Sequence, residues 1–233
     1  EALERRAIGE IKNVRILKHR ISFLDKVNQW NKFSKYSGGT LVEKCCHYFD
    51  LLNMFAQSKP ARVSATGSMA VNFVDFEYEG QKSDILDNAF VSVTYQNDVR
   101  AGFDLCMFSP VFHEEVILCG DGGRIRAYTY HDLLGGGASE SETHLEVIRG
   151  LDNASRVATP RYPSFISEAG HGGATYFEHV NLIDNIEGKD TNAATTEEGF
   201  WSIVVGVAAE ESVKQDGTPI VIDELLERNG ISL

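Results

Sequence analysis

Between Ala61 and Arg149 the chain runs through one short stretch of alternating apolar and polar residues after another, and that succession leaves few folds open. Ala61–Phe73, Ala89–Tyr95, Arg100–Met107, His113–Cys119, Arg124–Tyr130 and Thr143–Arg149 all carry the period of two that marks a strand. Two of the links, Gln96-Asn97-Asp98 and Gly120-Asp121-Gly122-Gly123, are short and rich in turn residues, as hairpins require. An earlier run, Val14–Phe23, sets Val14, Ile16, Lys18 and Arg20 against Leu17, Ile21 and Phe23. Strands that follow one another through hairpins pair antiparallel, and helical segments lie before and after them. The expected fold is therefore α+β: one large, mostly antiparallel open β-sheet with helices packed on one face. Apolar residues fall on both sides of some strands, Phe103, Leu105 and Met107 against Cys106 and Phe108. That pattern predicts that the open face is covered by a second copy, giving a homodimer or higher homo-oligomer.

The helical segments are legible by their own period. Over Thr40–Gln57, the residues Leu41, Cys45, Tyr48, Leu52 and Phe55 recur at spacings of 4, 3, 4 and 3, one stripe of an amphipathic helix. Two further helices are expected at about 174–187 and 197–215, followed by a strand at Pro219–Ile222 and a last helical turn. Residues 1–9 resemble a helix end closed by Gly9, and a chain opening at Glu1 within a helix suggests part of a longer protein. Residues 25–39 and 150–170 show little periodicity and are expected to be loops.

Charge and cysteine usage exclude several partners. The formal charge of -12 offers no clustered Lys/Arg surface for nucleic acid. The basic residues near the start, Arg5, Arg6, Lys12, Arg15, Lys18 and Arg20, fit a solvated sheet face instead. No stretch approaches the roughly 20 apolar residues that span a bilayer, so no membrane partner is expected. Cys45, Cys46, Cys106 and Cys119 form no CxxC pair, which predicts free thiols and a reducing cytoplasm.

Opposite its apolar stripe the 40–57 helix presents Glu43, His47, Asp50 and Met54. Glu43 and His47 are a turn apart, and a neutral imidazole near a helix N-terminus beside a carboxylate is suited to general base catalysis. The same residues admit a structural reading, in which Thr40-Leu41-Val42-Glu43 is a capping box and His47–Asp50 a surface pair. Glu43, Cys45, Cys46 and His47 are all metal-ligand types, but a helix scatters them around its circumference, so no metal is expected.

The chain resembles the C-terminal domain of the Gfo/Idh/MocA oxidoreductases, the group of glucose–fructose oxidoreductase and inositol dehydrogenase. Residues 37–52, SGGTLVEKCCHYFDLL, are similar to that family's GGxLxDxxxHxxD helix. EEVILCGDGGRI at 114–125, GHGG at 170–173 and GVAAEESVKQDGTPIVI at 206–222 match in order along the rest of the chain. The resemblance implies a dihydrodipicolinate reductase-like C-terminal domain for substrate binding and dimerisation over residues 1–233. A separate N-terminal dinucleotide-binding domain is absent from the chain. It implies hydride transfer between NAD or NADP and a sugar or polyol carbon, with His47 as base or proton relay. Glu43 stands where the family has Asp, one methylene longer, and would orient His47 or contact substrate. Lys44 would meet an acidic substrate group or lie solvated at the surface.

The departures are as specific as the matches. No G-x-G-x-x-G turn follows a strand, and the family's EKP lysine is missing, so the nicotinamide cofactor would be bound mainly by the other domain. His171 among its glycines, Tyr176 on the following helix and Trp30, able to stack on a sugar ring, are further substrate-binding candidates. His19, His113, His131 and His144 are expected to be structural, with no paired base nearby. Two rival functions remain open: a non-catalytic dimerisation or scaffold domain, and an NAD-dependent glycosidase-type relative.

Overall fold

A computed structural model describes residues 7–22, 24–132, 142–150, 154–191 and 193–232. The chain opens with β1 (Ile11–His19), a 3-10 turn (Val27–Lys32), α1 (Ser34–Ser37), α2 (Thr40–Glu43) and α3 (Cys46–Ala56). β2 (Pro60–Ser68), the small hairpin β3 (Glu77–Tyr78) and β4 (Gln81–Lys82), β5 (Asn88–Tyr95) and β6 (Arg100–Cys106) follow. Next come β7 (Val111–Gly120), β8 (Gly123–Asp132), β9 (Glu142–Arg149) and β10 (Ala154–Ala158). The chain closes with α4 (Ser164–Ser167), α5 (Ala174–Ile186), α6 (Thr196–Lys214), β11 (Ile220–Val221) and α7 (Ile222–Arg228).

Nine strands form one sheet in the order β10-β9-β8-β7-β1-β6-β5-β2-β11. Every neighbouring pair is antiparallel except β1 with β6. The α+β architecture read from the alternation is therefore the observed one. β1 is inserted between β6 and β7, so the β6–β7 link passes over its end: the Arg20 amide donates to the Cys106 carbonyl and the Ser109 amide to the Arg20 carbonyl.

One face of the sheet is the core. Val14 and Ile16 of β1, Val91 and Val93 of β5, Ala101, Phe103 and Leu105 of β6 and Leu118 of β7 are buried there. They meet Leu41, Cys45, Phe49 and Leu52 below and Val204, Val205, Ala208 and Ala209 of α6. α6 needs this cover, being apolar around much of its circumference, and its start is fixed by a capping box between Thr195 and Glu198. Gly206 lets α6 approach α2 closely: a Cβ there would lie 2.7 Å from the Leu41 carbonyl oxygen.

Several expectations change. The 40–57 helix is two helices, interrupted at Lys44-Cys45, yet the apolar stripe keeps its phase across the break. The first strand runs from Ile11 to His19 rather than 14–23. The strand expected to reach Phe73 stops at Ser68, because the buried carboxylate of Asp87 takes the amides of Ala70, Val71 and Asn72 out of the ladder. The 150–170 loop contains β10 and α4, and the helix proposed for 1–9 falls largely on residues 1–6, outside the described ones.

The open face also differs from the apolar patch that was expected. Its centre carries ion pairs, Arg126 with Glu115 and Arg124 with Glu146, and an Arg15–Asp104 contact at 3.9 Å. His19 lies 3.6 Å from Asp104 and His113 3.6 Å from Glu115, so these histidines do have carboxylates beside them. Among the described residues no helix is long and apolar enough to cross a membrane.

Candidate active site

His47 is the second residue of α3, where the unpaired amides of the first turn disfavour a charged ring. The His47 side chain is exposed, while its underside lies against Tyr48, ring centroids 4.2 Å apart. Burial of that underside lowers the pKa of His47 below its ordinary value. The negative charge of Glu114 opposes the shift, and the positive charges of Lys18, Lys44 and Arg20 reinforce it. The ring is thus a neutral proton acceptor at neutral pH.

Beneath it sits a polar group with one member on each of three elements, buried at Tyr48 and Lys18 and half-exposed at Glu114. The Tyr48 hydroxyl donates to Oε1 of Glu114 at 2.6 Å, and Nζ of Lys18 donates to the same oxygen. Lys18 and Glu114 are directly paired in the β1–β7 register, which brings the ion pair together. Lys18 is only 3% exposed and its ammonium lies 3.5 Å from the centroid of the Phe112 ring, a cation–π contact in place of water. Tyr48 is clamped from its other side by Phe103, ring centroids 5.2 Å apart. Burial pushes the Lys18 pKa down despite its partner, whereas for Glu114 burial is outweighed by the hydrogen bonds of Lys18 and Tyr48, which hold its carboxyl below the ordinary range. Burial and the adjacent carboxylate push the Tyr48 phenol far up, so it stays protonated.

Glu43 stands one turn before His47, at the end of α2. Its Oε1 is 3.1 Å from the Lys44 ammonium, and its Oε2 is buried with no hydrogen-bond partner. A carboxylate oxygen enclosed in that way lacks the partner that buried polar atoms normally have. The capping box does not form: the N-cap is Gly39, and the Thr40 hydroxyl donates to the Leu86 carbonyl. The cap comes instead from across the core, where buried Glu210 of α6 accepts the Leu41 amide at 2.8 Å. Gly39 has φ +102°, and a Cβ on it would lie 2.3 Å from the Glu210 carboxylate, so the glycine serves both the turn and the cap.

The model for the oxidoreductase family, C-terminal alpha/beta domain, known by the names Gfo, Idh and MocA, matches residues 1–222. The chain belongs to this family. Comparison with curated proteins finds no match. Among solved structures, an oxidoreductase from Agrobacterium radiobacter in complex with NAD+, L-tartaric acid and magnesium superposes with a TM-score of 0.65 at 17% identity. That match covers 97% of this chain and 60% of the other. The WlbA dehydrogenase from Bordetella pertussis, in complex with NADH and UDP-GlcNAcA, gives 0.60 at 16% identity over 94% and 57% of the two chains. Aldose-aldose oxidoreductase from Caulobacter crescentus complexed with glycerol gives 0.62 at 12% over 94% and 58%. At these identities the likeness is one of fold, and the chain spans under two thirds of the length of these relatives.

Within this Gfo/Idh/MocA domain, Glu43 pairs with Lys44, whose charge acts on His47, and Glu43 and His47 stand on either side of the break between α2 and α3. Among the described residues, the contacts of His171 and Tyr176 are with Phe165, Thr175 and Phe177, around α4 and α5, and none is with α3. Trp30 is half-buried in the 3-10 turn at Val27–Lys32, outside α2 and α3. Lys18 and Glu114 were missed as part of the site. The signal was there: Lys18 is in phase with the buried Val14 and Ile16, so a strand face that carries both must bury the lysine.

The described residues do not fit a dinucleotide. The parallel pair β1–β6 is not joined as a strand–helix–strand unit, and no glycine-rich turn leads a strand into a helix N-terminus, the arrangement that cradles a pyrophosphate. Among them, no three His, Cys, Asp or Glu side chains converge on a metal position.

Proposed function

We propose that this domain forms the substrate side of an NAD- or NADP-dependent dehydrogenase acting on a hydroxyl-bearing carbon of a sugar or polyol. The observation that carries the reading is an exposed, neutral imidazole at His47 in the first turn of α3, with the Glu43 carboxylate at the end of the preceding helix. His47 accepts the proton of the hydroxyl being oxidised, and Glu43 holds that hydroxyl or its neighbour. Tyr48, fixed by Glu114 and Phe103, keeps the imidazole in place. The nicotinamide, which accepts the hydride, is held by a dinucleotide-binding domain outside these 233 residues. The open sheet face, with acidic and basic groups side by side, is the surface proposed to pair two copies. The four free thiols suit a reducing cytoplasm.

The test uses the protein that joins this chain to its dinucleotide-binding domain. His47→Ala is expected to lower kcat/KM for its sugar or polyol by about 10²-fold or more, the usual weight of a general base. Because the His47 pKa is lowered, the acid limb of the wild-type pH–rate profile should fall below the ordinary histidine value. An unchanged rate in the variant, or a profile without that limb, refutes the assignment.

A further inference from the structure

We propose that Glu114 and Lys18 are positioning residues for His47: joined one tyrosine ring beneath the imidazole, they act on its proton affinity with opposite signs and hold it in balance. This rests on the reading of His47 as the proton acceptor of a substrate site.

The geometry is a stack of rings on a charged base. The His47 and Tyr48 rings lie with centroids 4.2 Å apart and planes inclined by 49°. Phe103 closes the far side of Tyr48, its plane inclined by only 21°. The buried phenol has one proton and donates it to Oε1 of Glu114, so Tyr48 has none to give a substrate and serves as a support. The same oxygen receives the Lys18 ammonium. One atom thus anchors the ring under His47 and neutralises the cation beside it.

Both charges are close enough to act on the imidazole. Nζ of Lys18 is 5.9 Å from the centroid of the Tyr48 ring, which is itself 4.2 Å from that of His47. The pair therefore stands within about 10 Å of the imidazole, across protein rather than bulk water, and a unit charge there moves a pKa by about half a unit to one unit. Together the two charges largely cancel; alone, each acts in full. The carboxylate without the ammonium favours the imidazolium, and the ammonium without the carboxylate disfavours it. The same signs hold in the intact protein, where burial is the main cause of the lowered His47 pKa, Glu114 opposes it and Lys18 adds to it. Lys44 and Arg20 also act on His47, and Glu43 is paired with Lys44; all three are unchanged when the pair is altered.

The test follows the His47 ring by NMR titration in the 233-residue chain, its signal assigned by its loss in His47→Gln. Lys18→Met should raise the His47 pKa by about half a unit or more, and Glu114→Gln should lower it by a similar amount. Lys18→Met/Glu114→Gln, which removes both charges, should return it to within about 0.2 unit of wild type. Loosened packing alone would move every variant the same way, toward the ordinary histidine value, and would bring the double variant no closer than the singles. Shifts of the same sign, or a double variant as displaced as Lys18→Met, overturn the proposal; the comparison of those two decides it if Glu114→Gln does not fold. The reading of the site is judged separately, by the rate of His47→Ala in the protein joined to its dinucleotide-binding domain. An unchanged rate there overturns the catalytic base and leaves the charge balance standing.

Discussion

Glu114→Gln exposes the energetics of the group beneath His47. Lys18 is 3% exposed, and among the described residues Glu114 is its only ion-pair partner. Removing one member of a fully buried pair costs about 3–5 kcal/mol, because the other charge is left without compensation. Here the Glu114 side chain is 40% exposed, so water reaches the carboxylate side and the cost should fall to about half. The Phe112 ring retains part of the stabilisation of the ammonium. Tyr48 loses a charged acceptor but keeps a neutral one in the glutamine, a further loss of about 0.5–1 kcal/mol. The sum is about 2–3 kcal/mol, roughly 5–10 °C in Tm for a domain of this size, measurable by urea and thermal unfolding followed by circular dichroism. The sign of the pH dependence is fixed by Glu114. Its folded pKa is depressed, so its contribution is complete above the unfolded value of about 4.3 and fades as pH falls through the folded one. Wild type and variant should therefore differ at pH 7 and converge in acid. A difference under about 0.5 kcal/mol at pH 7, the usual limit for a surface substitution, would falsify the burial argument for Lys18. The double variant Lys18→Met/Glu114→Gln should recover most of the loss, since no unpaired ammonium remains.

Two further substitutions probe the supports of the site. Gly39→Ala places a side chain at φ +102° and against the Glu210 carboxylate, combining backbone strain with loss of the Leu41 cap. Unfolding should become easier by about 2–4 kcal/mol, and a smaller effect than Gly→Ala at exposed Gly80 would count against the cap. Asp87→Ala removes the acceptor of three backbone amides and should cost about 3 kcal/mol or more. Faster hydrogen exchange at Ala70–Asn72 is the expected signature, and unchanged protection there would show that another acceptor holds the segment.

Most of the sheet was legible because its strands alternate cleanly and their ends carry turn residues; β5, β6 and β9 begin and end within a residue or so of the pattern. What escaped was decided by partners distant in sequence. Nothing local at Met69–Phe73 announces that a carboxylate at position 87 will draw those amides away from the ladder. Nothing at Thr40–Glu43, which has the spacing of a capping box, reveals that the cap comes from position 210. The site divided in the same way. Glu43 and His47 share one helix period and could be read together, whereas Lys18 and Glu114 meet only through the β1–β7 register. The His171–Tyr176 segment matched by motif, yet its side chains contact their own neighbourhood.

The place of β1 has a consequence for how the chain is made. β6 and β7 are the two arms of an open hairpin, and β1 is the only strand between them, pairing Asn13 with Arg100 on one side and Cys119 on the other. A hairpin normally zips from its turn as soon as both arms exist. Here the arms must be held apart by a segment that left the ribosome long before either, and that has waited without a ladder partner. Early closure of β6 on β7 would expel β1 and with it Lys18, leaving a sheet one strand narrower and Glu114 of β7 without its cation. The order of arrival of three strands thus decides whether the chain folds with the Lys18–Glu114 pair beneath His47 or without it.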